Sequence, residues 1–192
     1  MALHFPHSHP PAAGELTEVV PGVFWLRMPL PFQLDHINLW LLRDGDGWVI
    51  VDTGFPDDDV RETWSGIIDR LDGPVTRIVV THFHPDHLGL ADWLMEKTGA
   101  PLWMTSGEFL TAHVVWNEVG GHGARFMVEQ FRQHGLDAEH LAKFEKRGSG
   151  YRQAVPALPQ HHHRLKAGDT VAVDGKKRPK MATGPADYNT AP

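Results

Sequence analysis

The sequence predicts an α/β layered domain, on three observations. Short β-branched and aromatic runs alternate with segments whose apolar residues recur at helical spacing. Glycine, proline and aspartate punctuate the boundaries between them. One run, Ile78-Val79-Val80, leads directly into a dense group of histidine and aspartate side chains. At 192 residues, 41% of them hydrophobic, the chain has a single-domain length and enough apolar material for a core.

From His4 to Gly14, several Pro and His occur without periodicity, which predicts a flexible leader over residues 1–15. Val19 to Met28 carries a strand, with Pro21-Gly22 as a turn before Val23-Phe24-Trp25-Leu26. Pro29 to Gln33 reads as an extended loop. Strands His36–Leu42 and Trp48–Asp52 flank the turn Arg43-Asp44-Gly45-Asp46-Gly47. Asp57 to Leu71 is predicted helical, because Val60, Trp64, Ile67, Ile68 and Leu71 share one face. Val75–Val80 is the next strand. Gly89–Lys97 is the next helix, closed by Gly99, and Pro101 to Met104 fits a short strand.

Three helical segments follow: Phe109–Val119, Ala124–His134 and Ala138–Lys146. They predict a helical insertion over about residues 106–147, with Trp116, Phe126, Phe131 and Phe144 as its core; a substrate lid is the alternative. His122, between glycines, reads as a loop residue or part of such a lid. His161-His162-His163 lies in a Pro-rich stretch with no strand pattern, and a solvated loop is expected there rather than a ligand cluster. The main domain is expected over residues 16–175 and an irregular tail over 176–192. Within that tail Lys176-Lys177-Arg178 reads as a solvated turn.

Bulk composition narrows the function. The chain has no cysteine, which excludes disulfides and thiolate ligands and leaves His/Asp coordination for any metal. A formal net charge of −6 argues against a nucleic-acid surface. No signal peptide is evident at Met1-Ala2-Leu3-His4-Phe5-Pro6. No run reaches the ~20 apolar residues of a membrane helix. A small-molecule substrate and a cytoplasmic location are the expectation.

The chemistry concentrates in Thr81-His82-Phe83-His84-Pro85-Asp86-His87-Leu88-Gly89. Imidazole nitrogen and carboxylate oxygen are the donors that zinc and similar divalent ions take. Pro85 biases His84 toward extended dihedrals. In an extended segment side chains repeat with period two, so His82 and His84 point the same way and can hold one ion. Asp86 and His87 follow at a turn, displaced from that pair, and could hold a second.

This His-x-His-x-Asp-His segment resembles the signature of the metallo-β-lactamase fold hydrolase superfamily. Trp48-Val49-Ile50-Val51-Asp52-Thr53-Gly54 is similar to the strand and Asp-x-Gly turn that precede the motif there. Val23 to Arg27 and His36 to Leu42 resemble the opening strands, so the likeness covers about Leu16 to Gly107. It is closer to the general hydrolase branch, with thioesterase-like and lactonase-like members, than to the antibiotic-degrading branch. The resemblance implies an αβ/βα sandwich, here mainly its N-terminal half plus the helical insertion. His82 and His84 would bind one ion, and Asp86 and His87 another. Zinc is the first choice, with Fe or Mn as alternatives. The family pattern also needs a later Gly-His turn, a bridging Asp and a final His. Downstream of Gly168-Asp169-Thr170-Val171-Ala172-Val173-Asp174-Gly175, however, the sequence runs through Lys176-Lys177-Arg178-Pro179 to Pro192 without another histidine. The second half of the sandwich is therefore expected to be absent, leaving a sheet face uncovered for self-association.

The function so implied is a metal-dependent hydrolase that uses a metal-activated hydroxide on a thioester, lactone or other ester. Asp86 would orient that hydroxide and accept its proton. Asp52 would orient a ligand histidine or, alternatively, cap the Thr53-Gly54 turn. A catalytically silent fragment with a partial metal site and a di-iron oxidoreductase on the same fold are the competing readings.

Overall fold

A computed structural model describes His7, residues 9–148 and 150–170, and the backbone of 172–173 and 176–177. Residues 1–6 and 8 of the expected leader, and the expected tail from 178 onward, lie outside the described residues. One sheet organises the described chain. Its seven strands run in sequence order: β1 (Leu16–Val20), β2 (Val23–Pro29), β3 (His36–Asp44), β4 (Gly47–Val51), β5 (Val75–Val79), β6 (Leu102–Thr105) and β7 (His163–Leu165). β1 to β4 form an antiparallel meander, and β4 to β7 are parallel.

Each parallel step needs a crossover. The first is α1 (Asp58–Ile68) and the second is α2 (Pro85–Leu88) with α3 (Ala91–Thr98). The third is the insertion: α4 (Ser106–Trp116), α5 (Ala124–Gln133), α6 (Ala138–Arg147) and α7 (Tyr151–Ala154). The predicted strands and helices recur within a few residues of their expected bounds. Gly89-Leu90 breaks the second crossover into two helices, where the sequence suggested one starting at Gly89.

The period of two sorts each strand between two faces. Leu26, Met28, Leu39, Leu41, Ile50 and Ile78 are fully buried on the helix side, with Trp64 of α1 and Leu94 of α3. Val49, Val51 and Val79 form a second cluster, flanked by Trp40, Leu42, Trp103 and Leu165. α1 is started by the Asp57 carboxylate, which accepts the Asp59 N–H at 3.0 Å. Its Trp64 indole donates to Thr53 O at 2.8 Å, anchoring the helix to the loop after β4.

Four expectations need correction. His163 is not in a structureless loop: it opens β7, pairs with Trp103 in the sheet and stacks on its indole at 4.9 Å. Lys176–Lys177, read as a turn, pair as a short strand with Ala172–Val173. Phe126 and Phe131 are not an insertion core, being 63% and 37% exposed. The α5–α6 hairpin packs mainly on itself, with Phe131 against Phe144 at 4.9 Å, while Trp116 does join the main core. Nor is the end of the leader free: Gly14 N–H donates to Arg27 O at 3.0 Å. No described helix is long and apolar enough to cross a membrane.

Candidate metal centre

Parallel pairing of β4 with β5, Val51 opposite Val79, brings their C-terminal ends together. Asp52 leaves β4 with φ +60°, a left-handed conformation that short polar residues tolerate better than most. This turns its carboxylate toward the loop after β5. One carboxylate oxygen accepts the Thr81 N–H at 2.8 Å, and the other lies 2.8 Å from His87 Nδ1. The Thr81 hydroxyl lies within 3.0 Å of both oxygens. Asp52 is only 5% exposed, so these bonds are formed away from solvent. The carboxylate thus reaches both Thr81 and His87.

Thr53 fixes the same histidine from the backbone side. Its N–H and hydroxyl both donate to His87 O, at 2.9 and 2.7 Å, and its Oγ1 accepts the Leu90 N–H at 3.1 Å. Gly89 lets the turn close this tightly. A Cβ there would stand 2.3 Å from Pro85 O and 3.1 Å from Gly54 O. Gly89→Ala is accordingly expected to destabilise the chain by roughly 1–3 kcal/mol in urea unfolding, as forced overpacking does. An unchanged midpoint would show that α2 yields without cost.

The structure brings all four predicted donors to this one loop. Pro85 stands at the first position of α2, and His84 before it is extended, with φ −60° and ψ 148°. His82 Nε2 and His84 Nδ1 are 3.1 Å apart, so both rings face the same space. His87 Nε2 and an Asp86 oxygen are 3.5 Å apart. The His82 and His87 rings approach to 3.8 Å between centroids, which joins the two pairs. Among the described residues, no three His, Asp or Glu side chains converge closely enough to hold an ion as they stand. The arrangement is two pairs.

The donor set fits zinc. Two nitrogens each ~2.1 Å from one ion lie ~3–3.4 Å apart at near-tetrahedral angles, which is the separation of the His82–His84 pair. The ring atoms pointing away from the pocket are tied back: His82 Nδ1 to Thr81 Oγ1 at 2.9 Å and His87 Nδ1 to Asp52. That leaves Nε2 of both rings toward the shared space, the usual support for a ligand histidine. Burial, with His87 and His84 close by, holds the His82 pKa below its ordinary value, so the ring is neutral and its lone pair is available. At His87 burial also acts downward, but the Asp52 hydrogen bond and charge, with Asp86 beside it, outweigh this and raise the pKa.

His161 and His122 are exposed, and His162 stacks on Phe109 at 3.9 Å, so none of the three joins the cluster. Three residues absent from the sequence expectation do reach it: Thr81, Glu108 and Tyr151. A Thr-x-x-Glu pattern at Thr105–Glu108 was the available signal for the second.

A family model described as Metallo-beta-lactamase superfamily matches residues 33–184. The chain belongs to this superfamily. Among solved metallo-beta-lactamase-fold proteins, a beta-lactamase domain protein from Burkholderia ambifaria is 44% identical, with a TM-score of 0.72, over 88% of this chain and 50% of that one. A metallo-beta-lactamase family protein from Thermus thermophilus is 30% identical, with a TM-score of 0.65, over 83% of this chain and 50% of that one. A Caenorhabditis elegans beta-lactamase-like protein 2 homolog is 30% identical over 80 residues, which are 39% of this chain and 27% of that protein. The chain thus spans about half the length of the two solved structures. The seven-stranded sheet and its helices match the metallo-beta-lactamase fold. Superfamily members are mostly hydrolases and typically bind metal ions, usually zinc.

Proposed function

We propose that this chain carries a metal site of a hydrolase acting on a thioester, lactone or other ester, with His82, His84, Asp86 and His87 as protein ligands. The observation that carries the reading is the pair of imidazoles whose Nδ1 atoms are tied back to Thr81 and Asp52. Zinc in such a site supplies a water of lowered pKa and polarises a carbonyl oxygen. The chain's own residues do the rest. Asp52 keeps His87 in one tautomer, Thr53 holds the His87 backbone, and the extended His84 aligns its ring beside that of His82. Asp86, 29% exposed at its side chain and beside His87, is placed to accept a proton at the mouth of the site.

A catalytic zinc takes three converging protein ligands, whereas among the described residues the four donors stand as two pairs with no third donor converging on either. Turnover by this chain alone is therefore expected to be slow, below the ~1 per second floor of ordinary enzymes. The test is hydrolysis of thioester and lactone substrates by zinc-loaded chain, beside His84→Ala. Zinc-dependent turnover lost in the variant supports the reading; equal rates refute it. Zinc binding without turnover favours the alternative of a catalytically silent site, which the absence of a third converging donor among the described residues also favours.

Self-association through the sheet is the second part of this proposal. Trp25 stacks on Trp40 at 6.4 Å on the face opposite the helices, and both are partly exposed. Val49, Val51 and Val79 on that face are themselves buried, so the two indoles are what it offers a second copy. Leu39 and Leu41, on the same strands, face the helices and contribute nothing to it. Size-exclusion chromatography is expected to show species larger than a monomer. A monodisperse monomer would contradict this.

A further inference from the structure

The peptide of Phe83, between the two histidines of the first pair, is gripped from both sides by the helical insertion. Its N–H donates to a Glu108 carboxylate oxygen at 3.0 Å. Its carbonyl accepts the Tyr151 hydroxyl at 2.5 Å. Neither partner lies near the histidine loop in sequence: Glu108 is in the first turn of α4, and Tyr151 opens α7.

Glu108 is 2% exposed, and among the described residues no cation pairs with it. A carboxylate buried without a cation is costly unless other groups stabilise it. Here the first turn of α4 offers the positive end of its dipole, and the Phe83 amide supplies a hydrogen bond. Thr105 and Glu108 have the spacing of a capping box, and the Thr105 hydroxyl does accept the Glu108 N–H, at 3.3 Å. In the reciprocal half of that motif the glutamate reaches back to the cap residue's own N–H. This glutamate instead reaches the histidine loop. Helix capping alone does not account for its position.

Tyr151 is 6% exposed, and its phenol pKa is raised by burial and by the charge of Glu108, so it stays a donor at all ordinary pH. Its ring lies 6.1 Å from that of Phe83. The two gripping elements are themselves joined. The Trp116 indole donates to Val155 O at 3.0 Å, Arg152 donates to Trp116 O at 2.6 Å, and His113 Nε2 lies 3.1 Å from Pro159 O. α4, α7 and the segment after α7 therefore hold Phe83 as one unit.

We propose that Glu108 and Tyr151 are positioning residues for the metal site: by clamping the Phe83 peptide they fix the spacing of His82 and His84, which makes the insertion part of the site's support. The proposal rests on the metal reading given above. It has a readout independent of that reading, the exchange rate of the Phe83 amide in metal-free protein.

Three variants test it: Glu108→Ala, Glu108→Gln and Tyr151→Phe. The Gln side chain keeps an oxygen acceptor for the Phe83 amide, so it should rescue what Ala loses. By NMR, the Phe83 amide is expected to exchange at least about tenfold faster in Glu108→Ala and near the wild-type rate in Glu108→Gln. Cobalt(II) affinity, read from the visible spectrum in competition with a chelator, is expected to fall about 10–100-fold in Glu108→Ala, as losses of ligand support do. It should fall in the same direction in Tyr151→Phe and little in Glu108→Gln. Folded Glu108→Ala and Tyr151→Phe chains with unchanged exchange and unchanged cobalt affinity overturn the clamp. If Glu108→Ala does not fold, Tyr151→Phe, which removes a single oxygen, decides. A wild-type chain that binds no cobalt overturns the metal reading and the clamp's role in it, and the exchange rates still decide whether Phe83 is held.

Discussion

Asp52→Asn is expected to leave the chain folded and to cost about 10–100-fold in zinc affinity, the loss typical when a residue supporting a ligand histidine is changed. The side chain keeps its size, and asparagine tolerates the φ of +60° that Asp52 adopts. One amide oxygen can still accept the Thr81 N–H. The NH2 group then faces His87 Nδ1, where the carboxylate oxygen now lies at 2.8 Å. Two donors cannot share that contact, so His87 Nδ1 gives up its proton and Nε2 takes it. The atom aimed at the metal becomes a donor instead of a lone pair. NMR of the ring nitrogens in metal-free protein reads this tautomer change directly. Asp52→Ala should do worse. It strands the Thr81 amide and the His87 ring without their acceptor, at about 1–3 kcal/mol for each buried group left unsatisfied, and places alanine in a left-handed conformation. An Asp52→Asn chain with wild-type zinc affinity would show that Asp52 only shapes its turn.

His84→Ala is expected to abolish tight metal binding, because it leaves His82 without the partner nitrogen 3.1 Å away. The control is a chain with His161, His162 and His163 all changed to Ala. Its metal affinity should stay close to wild type, since His162 and His163 lie on Phe109 and Trp103 and His161 is exposed. Isothermal titration with zinc separates the two variants. Strong loss in the triple variant would mean that this stretch supplies a ligand after all.

Much of the sheet was legible because its strands alternate cleanly. Leu39, Leu41 and Ile50 face the helices while Trp40, Leu42 and Val49 face away, and a period of two needs no knowledge of the partner strand. The pairing of His82 with His84 was legible for the same reason, with Pro85 keeping His84 extended. β7 was not, since three residues with His and Arg at its head carry no apolar pattern. The exposure of Phe126 and Phe131 escaped because helical spacing identifies an apolar face without saying what covers it. Asp52 was expected to orient a histidine but not which one, a contact across 35 residues set by the pairing of β4 with β5. Tyr151's grip on Phe83 spans 68 residues and is set by how the insertion folds back. No local pattern encodes them.

The most direct measurement of the central claim is the zinc content of the purified chain after loading and removal of free metal, beside a His82→Ala/His84→Ala double variant. The His82–His84 pair, 3.1 Å apart, has the nitrogen separation of two ligands of one zinc, and the Asp86–His87 pair lies beside it. The account predicts about one equivalent retained by the wild-type chain and essentially none by the variant. Equal zinc content in the two proteins would contradict it.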